Sequence, residues 1–135
     1  MKRLIAAAAI LPALFATGAY AQTVTDEVNM QLWCGTAMVV AFANPPPGLT
    51  DDQIAEAQSY VDAGTALVEI AIQAHLDAGF TQEAADKIKA DIVPVVTEQV
   101  MGDGSNADHT FEECLAILPG MDAADPSADS SSSAM

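Results

Sequence analysis

Cys34 and Cys114, His75 and His109, and 19 acidic residues supply the reactive side chains of this 135-residue sequence. The cysteines stand 80 positions apart. They form no Cys-x-x-Cys unit and have no basic neighbour to lower a thiol pKa, which argues against a redox-active thiol. Each sits in an apolar helical stripe, and two such thiols facing one core are expected to pair in an oxidising compartment. His75 lies on the apolar side of a helix next to Leu76, where a histidine finds backbone or water partners. Asp77, two residues on, faces another way. His109 precedes Glu112 and Glu113 at three- and four-residue spacing, which can hold one cation weakly. Asp103-Gly104-Ser105-Asn106-Ala107-Asp108 invites comparison with a calcium-binding EF-hand loop. The comparison fails by position: Asp108 takes the place of the obligatory glycine, and Cys114 that of the bidentate glutamate. The weak metal candidates are thus Asp103, Asp108, His109 and Glu112, and turn formation is the expected role of Asp103 and Asn106. No metal or cofactor is assigned.

Catalytic motifs are equally sparse. The sequence contains no Gly-x-Ser-x-Gly, no phosphate-binding glycine loop and no His-Glu-x-x-His. Its carboxylates fall on solvated helix faces, where naming any two as acid and base is arbitrary. An enzyme is not expected.

The N-terminus carries an address. Lys2 and Arg3 precede the uncharged segment Leu4 to Ala16, and Ala19-Tyr20-Ala21 offers the small-x-small pattern of a signal peptidase site. Residues 1–21 are read as a signal peptide cut between Ala21 and Gln22. Cys34 follows Gln31-Leu32-Trp33 and is not placed for lipid attachment, so no membrane anchor is expected. Cleavage leaves Lys87 and Lys89 against all 19 acidic residues, a formal charge of −17. Such a surface repels nucleic acid and anionic lipid, because neither can exchange its counterions for basic side chains. The compartment is periplasmic or secreted.

Four helices are expected to position these groups, in a small all-α bundle of residues 22–119 closed by one disulfide. The first starts at the N-cap Thr25, with Asp26 and Glu27 favourably placed against the helix dipole. Met30, Trp33, Cys34, Ala37, Met38 and Ala41 form its stripe, while Val28, Leu32 and Val39 lie opposite. A helix apolar nearly all round is either central or shared with another chain. Asn44-Pro45-Pro46-Pro47-Gly48 ends it. Thr50 and Gln53 match a capping box and Leu49 can staple onto Ile54. The second helix runs from there to about Ala78, with Gly79 at the left-handed C′ position. Its apolar arc comprises Ile54, Ala57, Val61, Val68 and Ile72, widened by Tyr60, Ala63, Leu67, Ile70 and Ala74. The third begins near Thr81, turns Ile88, Ile92, Val95, Val96 and Val100 inward, and is expected to kink at Pro94. The fourth opens with the capping box Thr110/Glu113 and buries Phe111, Cys114, Leu115 and Leu118. Residues 120–135, ending in Ser130-Ser131-Ser132-Ser133-Ala134-Met135, are expected to be a disordered acidic tail.

In small size, export, helical content and one long-range disulfide the chain resembles the acid-activated periplasmic chaperones. Its cysteines are farther apart and its lysines far fewer than in that family. The resemblance is architectural and carries no residue across. It implies shielding of other exported proteins when acid neutralises the carboxylates and uncovers apolar surface. The reading placed first is a non-enzymatic interaction or structural protein, with an unknown protein partner or self-association through the first helix. A third class is a binder of a small molecule or divalent cation, suggested by Met30, Trp33, Met38 and Tyr60.

Overall fold

The computed structural model describes residues 22–120. Residues 1–21, expected to be a signal peptide cut after Ala21, and the acidic tail beyond Gly120 lie outside the described residues. Four helices follow in chain order: α1 (Asp26–Phe42), α2 (Asp51–Asp77), α3 (Gln82–Met101) and α4 (Phe111–Ile117). No strand occurs among the described residues.

A threonine opens each helix. The side-chain oxygens of Thr25, Thr50, Thr81 and Thr110 accept from the amides of Val28, Gln53, Ala84 and Glu113, satisfying donors that the first turn leaves without partners. Thr50 and Thr110 form complete capping boxes, with Gln53 and Glu113 reaching back to the cap amides. At the far end of α2, Gly79 adopts φ +94°. Its N–H donates to Leu76 O (3.0 Å) and that of Phe80 to His75 O (3.1 Å), the paired bonds of a Schellman motif. Only glycine reaches this backbone conformation without a Cβ penalty. α3 continues through Pro94, which sits at an exposed position within the helix.

α1 is the hub, packing against α2, α3 and α4. Every residue from Leu32 to Met38 is buried, which is the central placement that its all-round apolar sequence allowed. Its closest partner is α2, and two glycines explain why. A Cβ added to Gly35 would lie 2.6 Å from Gly64 O, and one added to Gly64 would lie 2.7 Å from Gly35 O. The two backbones therefore touch where neither residue has a side chain. On one side of this crossing Leu32, Val68 and Ala71 form a small apolar cluster, flanked by Val28, Ile72, Ile88 and Ile92. On the other, Trp33, Cys34, Ala37, Met38, Leu67, Val96, Cys114 and Leu118 form the main core. The Cys34–Cys114 disulfide, with Cα atoms 5.1 Å apart, ties α1 to α4 inside that core.

Several apolar residues expected to face inward do not. α2 docks through Ala57, Gly64, Leu67, Val68, Ala71 and His75. That single line is narrower than its apolar arc, and Ile54 and Ile70 are left 46% and 49% exposed. In α3 the inward line is Ala85, Ile88, Ile92 and Val96. Val95, about 100° around the helix from Val96, is 50% exposed. Ala41 and Phe111 are likewise exposed, although both belong to stripes read as buried. Seven successive residues of α1 are covered inside one chain, and its apolar residues left partly or fully exposed are Val28, Met30, Val39, Val40, Ala41 and Phe42.

Candidate functional site

Trp33, Met38, His109, Phe111 and Cys114 surround a cleft at the α4 end of the molecule. α1 supplies Trp33, Ala37, Met38 and Ala41 as one face. The last turns of α3 add Gln99 and Val100, the connecting loop adds Gly104, Ala107 and His109, and α4 adds Thr110, Phe111 and Cys114. They enclose a half-open, mainly apolar cavity of about 310 Å³, at the lower end of the range for small-molecule sites.

Helical spacing fixes the wall. Trp33, Ala37 and Ala41 recur every four residues and so lie above one another on α1. The Trp33 indole N–H donates to Gln99 Oε1 at 2.6 Å, anchoring α3 to α1. The His109 ring meets Trp33 edge-to-face, with centroids 5.4 Å apart and planes at 71°. Cys114, one half of the disulfide, belongs to the same wall. Phe111 borders the cavity and is 49% exposed. It also joins a surface cluster in which Phe42 stacks on Tyr60 at 4.7 Å and Phe111 lies 6.2 Å from each.

Local hydrogen bonds shape the loop that closes the cleft. Asp103 Oδ1 accepts from Ser105 N at 2.9 Å and from Ser105 Oγ at 2.6 Å, an Asx turn. These bonds, the side-chain one first, hold the Asp103 carboxyl below its ordinary pKa. Gly104 takes φ +72° to complete the turn. At the start of α4, Thr110 N donates to Glu113 Oε2 at 2.7 Å and Thr110 Oγ1 to the same oxygen at 3.0 Å. Those two bonds and, more weakly, the His109 charge lower the Glu113 pKa.

The four weak metal candidates do not converge. Asp103 is engaged in its turn, His109 packs on Trp33, and Asp108 and Glu112 are exposed. Among the described residues no three His, Cys, Asp or Glu side chains come together to hold an ion. His75, 2% exposed, directs Nδ1 at Ala71 O across 2.7 Å and meets the Phe80 ring edge-on at 5.2 Å. A carbonyl only accepts, so Nδ1 carries the proton in that bond, and the residue staples the end of α2. Among the groups lining the cleft, Trp33, Met38 and Cys114 stood in the apolar stripes read from sequence. Gln99 carried no signal, because a glutamine at the end of a helix looks the same whether solvated or bonded to an indole.

Among the described residues, no helix is long and apolar enough to cross a membrane. Compared with protein-family models, curated proteins and solved structures, the chain matches none.

Proposed function

We propose that this is an exported, non-enzymatic binding module whose ligand site is the cleft between α1, the end of α3 and α4. The observation that carries this reading is the cleft itself: a preformed apolar hollow lined by Trp33, Met38 and Phe111, with a few polar groups at its rim, is the usual form of a small-molecule site. The disulfide, which persists in oxidising compartments, and the leader-like N-terminus support export. Trp33 is the single tryptophan of the chain and lines the cleft, so its emission reports occupancy directly. A panel of small apolar molecules should perturb Trp33 emission saturably and raise the melting temperature with dose. A panel that leaves both unchanged at millimolar concentration removes the cleft as a ligand site.

A second reading, shielding of other exported proteins in acid, has one observation in its favour. Asp103 and Glu113, whose charged forms are held by hydrogen bonds, both maintain the segment that closes the apolar cleft. Protonating them weakens that segment and uncovers aromatic surface. Suppression of client aggregation below about pH 4 supports this role, and its absence there removes it.

A further inference from the structure

The cleft is apolar, but its surroundings carry charge of one sign. From Ala90 to Gly120 the chain has no lysine or arginine, while Asp91, Glu98, Asp103, Asp108, Glu112 and Glu113 all fall in that stretch. Glu98 and Asp103 line a second hollow that shares Gln99 with the cleft wall. Elsewhere, Lys87 is paired with Asp91, and Lys89 lines a different hollow with Thr36 and Val93. Among the described residues no lysine or arginine lines the cleft, so field lines from a strongly acidic molecule converge on low-dielectric walls there and raise the local concentration of positively charged solutes. The rim is suited to the same solutes, because Phe111 is 49% exposed there and aromatic faces attract an ammonium group.

We infer that the cleft takes a small organic cation: an ammonium head at the rim beside Phe111 and His109, and an apolar or aromatic body against Trp33 and Met38. The inference rests on the cleft being a ligand site, and it adds the charge and shape of the ligand. The volume of about 310 Å³ admits one ring with a short substituent. An inorganic ion does not suit the apolar walls, and an anion would meet neither lysine nor arginine there while entering the field of a strongly acidic chain.

Three probes of one shape separate the parts of the argument: benzyltrimethylammonium, its uncharged isostere neopentylbenzene, and phenylmethanesulfonate. Each is titrated into the oxidised full chain by Trp33 fluorescence and calorimetry. At about 10 mM salt, where screening extends over roughly 30 Å, the cation is expected to bind at least about tenfold more tightly than the neutral isostere. The ratio should contract in 1 M salt. Ala41→Phe, at an exposed position on the rim, should block binding without altering helix content, and Ala107→Phe in the loop is the second blocking variant. Equal or tighter binding of neopentylbenzene, abolished by the same variants, overturns the preference for cations while leaving a ligand site in place. Tighter binding of the sulfonate overturns it as well. No response to any probe removes both the cation and the cleft, as does cation binding that both variants leave intact.

Discussion

Reducing the Cys34–Cys114 bridge should cost a large share of the protein's stability, and the structure says where the loss appears first. The bond closes an 80-residue loop, and in the chain-entropy account this restricts the unfolded state by about 4.5 kcal/mol at 25 °C. A domain of about 100 residues has a total of roughly 5–15 kcal/mol. With a urea dependence of about 1–3 kcal/mol per M, the midpoint should fall by roughly 1.5–4.5 M. At the backbone level α4 packs on α1 alone, with the Phe111 ring reaching Phe42 and Tyr60 and Leu118 entering the core. Losing the tether should release this seven-residue helix before the α1–α2 crossing opens. The assay is urea unfolding of oxidised and dithiothreitol-reduced protein, with amide exchange followed across 111–117. Midpoints within about 0.5 M of each other, with α4 amides equally protected in both forms, would refute the reasoning.

Further outcomes concern the crossing, the core and the acid response. Gly64→Ala gains about 1 kcal/mol of helix propensity but places Cβ 2.7 Å from Gly35 O and 2.8 Å from Met38 Cβ. Overpacking of this kind costs about 1–3 kcal/mol, so chemical denaturation should show a net loss; a stabilised variant would show that the helices separate freely. Val96 is fully buried, and Val96→Ala should cost about 2 kcal/mol by removing two buried methyl groups and leaving a cavity, whereas Val95→Ala, at an exposed position, should stay within about 0.5 kcal/mol. Glu113 has a folded pKa below its ordinary 4.5, so its contribution is fully present above that value and is lost as pH falls through the folded pKa. Glu113→Gln should therefore flatten the decline in melting temperature below about pH 4.5, and an unchanged slope would show that the α4 cap takes no part in acid unfolding.

Helix starts were readable because capping is local. Thr25, Thr50, Thr81 and Thr110 each act on an amide three residues away, and a sequence window contains both partners. The Gly79 stop was readable for the same reason. Facing was harder. α2 has apolar residues over so wide an arc that its pattern admits several docking lines, and the choice among them is made by Gly35 on another helix. A glycine within a helix looks like a propensity penalty until its neighbour is known. The disulfide was legible because both cysteines sat in apolar stripes and no third competed. The cleft was only partly so: its walls are ordinary core residues by pattern, and its existence depends on how far the 102–110 loop holds α4 from α3.

Cys34 and Gly35 are consecutive, so α1 meets its covalent partner and its closest backbone neighbour within one turn. A helix gripped from two directions at the same height can neither slide nor rotate like a screw without disturbing both attachments. A bulky substitution at the α2 interface therefore pushes on the cystine and, through it, on the wall of the apolar hollow. Under the proposed function, affinity for a small molecule should respond to changes made on the far side of α1, with the sulfur bridge as the transmitting rod.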